Sequence, residues 1–191
     1  MGVPKGLLEY EGRTWLEHQL ERAGEAGITQ AILVLGYHVN EYEAVLSKRK
    51  DTPPELIAVV NPKPEQGQFS SIICGTKAAT EIQDLEGAFL LPIDTPSPRP
   101  EVWRELAAAR SEEQEALQPE VDGQAGHPVL ISRSFVETLS RHSPEFRLDL
   151  LIKSLPERKK KRVVVSDSRI VTNLNDPQAW NDFQKIDATR P

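Results

Sequence analysis

The sequence predicts a three-layer α/β fold, with a mostly parallel sheet, a small antiparallel excursion and helices on both faces. Three features predict it. Helix and strand patterns alternate along the chain. The strand candidates are short continuous apolar runs, which is how a strand buried on both faces reads. The runs stop abruptly at polar or turn residues, and alternation of such runs with helices is the signature of α/β architecture. The 191 residues suit a single domain spanning 1–191.

The elements follow in order. Thr14 to Ala26 is a helix, with Trp15, Leu16, Leu20 and Ala23 on one apolar face and Gly27 after it as a stop. Ala31 to Leu35 is an apolar strand closed by Gly36, and Asn40 is placed to cap a helix over Glu41–Leu46. A loop at Asp51–Pro54 precedes a second strand, Leu56 to Val60, stopped by Asn61-Pro62. After a loop from Lys63 to Gln68, a helix runs from about Ser70 to Ile82, and a third strand covers Ala88 to Ile93 and ends at Asp94. Pro96, Pro98 and Pro100 stiffen the next connection, with Pro100 starting a helix through Ala109.

The second half is less regular. Glu115–Gln118 and Val129–Ile131 read as strands separated by a turn at Gly123–His127. Helices are predicted near Ser134–Arg141 and Phe146–Leu155. Arg162–Val165 and Ile170–Val171 are expected to pair as a hairpin across Asp167-Ser168, and Asp176-Pro177 opens a last helix to Ile186.

Composition narrows the function. With 23 Lys+Arg against 29 Asp+Glu the net charge is −6, which argues against a protein that coats nucleic acid or an anionic membrane. No apolar run reaches the roughly 18 residues of a membrane span, and the first residues lack the apolar core of a signal peptide. The single cysteine, Cys74, fits a reducing cytoplasm and reads as a small packed residue. The run Arg158 to Arg162 is either a solvated lead-in to a strand or an anion contact.

Ligands of open α/β sheets bind beyond the carboxyl ends of the strands. Asp94 stands at such an end, as a turn or cap residue or as a ligand for metal and substrate. Gly67-Gln68-Phe69-Ser70-Ser71 offers backbone N–H groups and hydroxyls at a helix start, for an anion or a base edge or merely as an N-cap. Lys5, in the turn Gly2-Val3-Pro4-Lys5-Gly6, is a surface charge or a phosphate contact. Gly75-Thr76-Lys77 has the wrong order for a phosphate-binding P-loop, and no GxGxxG or GxSxG is present. His18, His38, His127 and His142 show no metal-ligand spacing, and His127, in Gly126-His127-Pro128, is the one in a turn expected to face a cleft.

Taken together, these segments have a familiar order. Met1-Gly2-Val3-Pro4-Lys5-Gly6-Leu7-Leu8, Ile32-Leu33-Val34-Leu35-Gly36, Asn61-Pro62, Gly67 through Gly75, Leu91-Pro92-Ile93-Asp94-Thr95-Pro96, Gly126-His127-Pro128-Val129-Leu130 and Asn173-Leu174-Asn175-Asp176-Pro177 follow one another. The string resembles the MobA-like nucleotidyltransferases, which include the molybdenum-cofactor guanylyl- and cytidylyltransferases. The resemblance covers nearly the whole chain. It implies a Rossmann-like, nucleotide-diphospho-sugar-transferase-like fold that binds a nucleoside triphosphate, CTP or GTP, with Mg²⁺. An acceptor's phosphate attacks the α-phosphorus and pyrophosphate leaves; molybdopterin is the first acceptor to consider and a sugar phosphate the second. By position, Lys5 is implied to contact the triphosphate, Gly67, Ser70 and Ser71 to lie by the nucleotide, Asp94 to bind Mg²⁺, and His127, Asn173 and Asn175 to lie on the acceptor side. Nucleic acid and membrane are not expected partners.

Two departures accompany the resemblance. Relatives begin with a hydrophobic strand and a loop of the form LAAGxSxRMGxPK, and this sequence starts at the methionine of that string. Such a loop would cradle the phosphates, so the sequence as it stands is expected to bind triphosphate weakly. A start assigned too late, a trimmed chain and a short, catalytically degenerate relative acting as a binding or regulatory protein all remain open readings. The subgroup character is also mixed: the N-terminal string and Gly126-His127-Pro128 look cytidylyltransferase-like, whereas Asn173-Leu174-Asn175 looks guanylyltransferase-like. Outside this resemblance the sequence reads as an α/β module whose strand-end residues are caps and turns.

Overall fold

A computed structural model describes residues 2–49 and 52–187. Met1 of the first motif and Asp51 of the predicted loop lie outside the described residues. Lys5–Leu7 form a 3-10 turn, followed by a hairpin of β1 (Glu9–Tyr10) and β2 (Arg13–Thr14). Periodicity could not announce strands of two residues. The reversal uses positive φ at Glu11 (51°) and Gly12 (77°), the geometry that suits the twist of a two-residue hairpin loop.

The predicted first helix is α1 (Trp15–Glu25). It starts where it does because Thr14 and Glu17 form a reciprocal cap: Glu17 N–H donates to Thr14 Oγ1 at 3.3 Å and Thr14 N–H donates to Glu17 Oε2 at 2.9 Å. β3 (Gln30–Leu35), α2 (Val39–Leu46) and β4 (Glu55–Val60) make a parallel unit, in register from Gln30 opposite Glu55 to Leu35 opposite Val60. Asn40 is not the cap expected of it. The helix begins two residues earlier, and His38 takes the cap position with φ 59° and no side-chain cap bond.

α3 spans Gln68–Thr80 and is introduced by Gly67 at φ 87°, a conformation for which glycine is suited. β5 (Gly87–Leu90) is shorter than the predicted 88–93. The chain leaves the sheet before Pro92, which has no N–H to give to a ladder. Asp94 therefore sits in a turn beyond the strand, with Thr95 N–H donating to Pro92 O at 3.1 Å.

α4 (Pro100–Ala108) carries Pro100 in its first turn, as expected. β6 (Ala116–Val121), β7 (Gln124–Ala125) and β8 (Val129–Ser132) follow, then α5 (Arg133–Leu139), α6 (Leu148–Ser154), β9 (Lys160–Val164) and α7 (Pro177–Asp187). The expected hairpin of 162–165 with 170–171 does not form. β9 instead pairs in parallel with β6, from Ala116 opposite Lys160 to Glu120 opposite Val164, and Ser168–Val171 is a 3-10 turn. The buried Asp167 carboxylate causes this, because it accepts from Arg99 N–H at 2.8 Å and Arg169 N–H at 3.1 Å. Those bonds tie the turn to the start of α4 rather than reversing the chain into another strand.

The result is a Rossmann-like α/β fold with a mixed sheet flanked by helices. One part is the parallel pair β3–β4. The other has the order β5-β8-β6-β7, with β9 on β6; its β5–β8, β8–β6 and β6–β7 pairs are antiparallel. Among the described residues β3 pairs only with β4, and β5 only with β8. Their burial follows: Ile32, Leu33 and Val34 of β3 and all of β5 are half-buried, whereas β8 is buried throughout.

Side chains alternate across the larger sheet, as the period of two requires. Ala88, Leu90, Ala116, Val129 and Ile131 face α3 and α5, joining Phe69, Ile73, Phe135 and Val136. Phe89, Leu117 and Leu130 face the other way, onto Val102 and Leu106 of α4. A third, aromatic cluster of Tyr10, Trp15, Trp180 and Phe183 clamps α7 onto the N-terminal hairpin and α1. Leu106 is fully buried at 0 % exposure, so Leu106→Ala should lower the free energy of unfolding by about 2–5 kcal/mol. Urea denaturation measures this, and a loss below about 0.5 kcal/mol would mean that α4 does not pack on the sheet as described.

Candidate active site

The site forms where the N-terminal turn, the segment after β5 and the segment before α7 meet. Lys5 Nζ donates to Asn175 Oδ1 at 2.9 Å and lies 3.4 Å from Asp94 Oδ2. These residues are 89 and 170 positions from Lys5 in the chain. Leu174 N–H donates to the Asp94 carbonyl at 2.8 Å, which keeps Asn175 beside Asp94. The Asp94 carboxylate is 29 % exposed and the Lys5 side chain 30 %, so both face an opening rather than the core.

The base of Lys5 is also held. Gly6 N–H donates to Tyr42 Oη at 3.2 Å, and the ring lies close enough that any Cβ on Gly6 would strike it, at 2.8 Å from Cε1. Burial pushes the Tyr42 hydroxyl pKa above its ordinary value, and the bond from Gly6 N–H opposes that shift only in part.

A cavity of about 330 Å³ lies alongside β3, against Leu33, Val34 and Leu35, and continues past its carboxyl end. Pro4 and Ile93, the chain neighbours of Lys5 and Asp94, line it, as do Gly36, Tyr37, His38, Tyr42, Gly67, Gln68 and Ser71. Tyr37 stands 61 % exposed at the rim. Of these, Tyr42 was not singled out by the sequence, whereas Gly36 was recognisable as the end of a strand.

Asn61 shapes the entrance to α3. Its amide donates to Ser70 Oγ at 2.8 Å and Ser71 Oγ at 3.1 Å, while its carbonyl accepts from Lys63 N–H at 2.9 Å. Ser70 is only 5 % exposed, and its hydroxyl donates to Gly67 O at 2.7 Å. That hydroxyl builds the turn. Gly67, Gln68 and Ser71 are the members of the predicted segment that border the cavity.

His127 is half-buried at the end of the β7–β8 connection. Its backbone N–H donates to Ile170 O at 2.9 Å, and its Nδ1 is buried without a hydrogen-bond partner among the described residues. Burial holds its pKa below the ordinary 6.5, with smaller opposing contributions from the Leu90 backbone and the Asp94 carboxylate. Asn173 is exposed and takes no part in the bonds joining Lys5, Asp94 and Asn175.

Four of the five cations of the basic run are bonded within the chain. Lys159 bonds Glu115, Lys160 bonds Glu157 at 2.9 Å, Lys161 donates to Ala109 O at 3.1 Å and Arg162 donates to Glu120 at 2.8 Å. No group of three or more His, Cys, Asp or Glu side chains converges among the described residues. The oxygen donors at the site are one carboxylate, Asp94, and one amide, Asn175. That hard-oxygen set suits an ion such as Mg²⁺, which takes one or two carboxylates and fills the remainder with water and phosphate oxygens. No helix among the described residues is long and apolar enough to cross a membrane.

Protonation of His127 is easier in the unfolded chain than in the folded one, because burial lowers its folded pKa. Its contribution to stability is therefore complete above about pH 6.5 and is lost as the pH falls from there toward the folded value. Denaturation midpoints followed from about pH 7 to 5.5 should decline, and His127→Gln should flatten that slope. A slope unchanged in His127→Gln would show that another group titrates.

Comparison with known proteins gives the same architecture. The model of the MobA-like NTP transferase domain matches residues 1–161. No curated protein sequence matches the chain at a significant level. Among solved structures, Rv0371C from Mycobacterium tuberculosis H37Rv in complex with manganese is 21% identical, covering 96% of this chain and 93% of its own, with a TM-score of 0.75. The nucleotidyl transferase Mth528 from Methanothermobacter thermautotroptrophicus is 19% identical over 96% and 85%, at a TM-score of 0.77. Molybdopterin-guanine dinucleotide biosynthesis protein A from Archaeoglobus fulgidus is 19% identical over 99% and 93%, at 0.64. At these identities the likeness is one of fold.

Proposed function

The chain belongs to the MobA-like NTP transferase family, and from that membership we propose that it transfers NMP from CTP or GTP to a phosphate-bearing acceptor in the cytoplasm, with release of pyrophosphate and with Mg²⁺ as the metal. Nucleotidyl transfer is the chemistry of the family at large. The observation that carries the reading is the meeting of Lys5, Asp94 and Asn175, from three distant parts of the sequence, next to Pro4 and Ile93 of a cavity that runs along β3 and past its carboxyl end.

Transfer of a nucleotidyl group asks little covalent help of the protein. It asks for positioning and for neutralisation of charge on the phosphates. Lys5 supplies a compact positive charge on a flexible stem, able to leave Asp94 for phosphate oxygens. Asp94 would hold Mg²⁺, with Asn175 as a neutral oxygen donor beside it. Bound there, the ion would supply charge neutralisation to the triphosphate. Gly67, Gln68 and Ser71, at the α3 end of the cavity, would meet the nucleotide. Ser70 would act indirectly, through the turn its hydroxyl builds. His127, kept neutral by burial, and Asn173 would lie toward the acceptor. Molybdopterin is the acceptor we propose first, on the resemblance to molybdenum-cofactor guanylyl- and cytidylyltransferases, and a sugar phosphate second.

Pyrophosphate release with Mg²⁺, CTP or GTP, and acceptor tests this reading. Asp94→Ala should lower turnover by about 100-fold or more while leaving the circular dichroism spectrum and the denaturation midpoint in place. Turnover equal to wild type would remove Asp94 from the site. Calorimetric binding of CTP or GTP with no turnover would mark the chain as a non-catalytic, nucleotide-binding relative.

A further inference from the structure

Three consecutive carbonyl oxygens around Asp94 are each held by another part of the chain. Trp15 Nε1–H donates to Ile93 O at 2.8 Å, Leu174 N–H to Asp94 O at 2.8 Å, and Gln19 Nε2–H to Thr95 O at 2.7 Å. Gln19 holds a fourth point as well, since Ser97 N–H donates to its Oε1 at 2.7 Å. Trp15 and Gln19 are four apart on α1 and so share a face.

Gln19 is 5 % exposed, Thr95 5 % and Ser97 3 %. A buried polar side chain in an otherwise apolar helix face costs free energy unless it is fully bonded. Here both ends of the amide are used, one donating and one accepting. An aliphatic residue would leave the Thr95 carbonyl and the Ser97 N–H bare. A carboxylate would face the Thr95 carbonyl with a charge and no proton.

We propose that Gln19 is a positioning residue for Asp94: by gripping Thr95 and Ser97 from α1 it fixes the backbone from which the Asp94 carboxylate projects, and so sets where a divalent cation is held. The metal half of this statement rests on the proposed function; the backbone half does not. Gln19 touches neither Asp94 nor any reacting group, and it acts through the turn. The coupling is short-range, because Leu174 and Gln19 grip adjacent peptide units. Releasing Thr95 therefore also loosens the Asp94 carbonyl from Leu174, and with it Asn175.

The test compares wild type, Gln19→Leu, Asp94→Asn and, as a destabilised control remote from the turn, Leu106→Ala. Two readouts are taken: hydrogen exchange at the Leu174 amide under native conditions, and the dissociation constant for Mn²⁺ alone by electron paramagnetic resonance. Gln19→Leu is expected to speed exchange at Leu174 about tenfold or more relative to the Leu106→Ala control, and to weaken Mn²⁺ binding by about tenfold. Leu106→Ala should leave Mn²⁺ binding at the wild-type level. Leu174 exchange in Gln19→Leu no faster than in the control overturns the proposal, as does Mn²⁺ affinity lost in Asp94→Asn but unchanged in Gln19→Leu. Wild type that binds no Mn²⁺, with Leu174 released in Gln19→Leu, supports the grip on the backbone and refutes the metal reading of Asp94. Should Gln19→Leu fail to fold, Gln19→Glu keeps the acceptor for Ser97 N–H and removes the donor to Thr95, and the same two readouts decide.

Discussion

The contact between the Lys5 ammonium, the Asp94 carboxylate and the Asn175 amide organises this molecule's functional end. Its worth is positional. An ion pair about a third exposed contributes about 0–1 kcal/mol to stability, far less than the burial of one leucine in the sheet. Yet it joins the first turn, the middle of the chain and its last loop at one point. A lysine engaged by a carboxylate and an amide is also a lysine already aimed, and a carboxylate with a cation beside it is not left as a bare charge.

That contact is possible because rigid parts surround it. The aromatic cluster of Tyr10, Trp15, Trp180 and Phe183 brings α7 onto the N-terminal hairpin, so that the loop carrying Leu174 and Asn175 lies against the turn carrying Asp94. Tyr42 holds the backbone beneath Lys5, and α1 holds the backbone on both sides of Asp94. The apolar layers on the two faces of the larger sheet supply the stability that the polar contacts do not. The cations of β9 serve that frame as well: paired with neighbouring acids and carbonyls, they keep charge on a strand edge, where an unpaired ladder would otherwise invite another chain.

Much of the fold was legible because long elements carry their own pattern. The run Ala31–Leu35 read as a strand buried on both faces and does form β3, though only Leu35 is fully buried, and the apolar face of Trp15, Leu16, Leu20 and Ala23 marked α1. The elements that escaped were those whose conformation is decided by a distant partner. The β1–β2 hairpin is too short for periodicity. The third strand stops at Leu90 rather than Ile93, because a proline cannot join the ladder. The segment after Val165 turns instead of pairing, because Asp167 is claimed by Arg99 from the other side of the chain.

The site divides in the same way. Lys5, Gly67, Ser71 and Asp94 could be picked out from local chemistry, since strand ends and glycine-led helix starts are readable one segment at a time, whereas Asn175 came only from the resemblance. The sequence could not show that Ser70 spends its hydroxyl on a turn, or that Gln19 and Trp15, two residues of an ordinary amphipathic helix, grip the segment on either side of Asp94. Sequence alone determined the alternation of elements and the residue types at their ends, because periodicity and capping act over a few residues. Only the tertiary structure decided which of those ends meet, because hydrogen bonds between residues 76 to 170 positions apart exist only after the layers have packed.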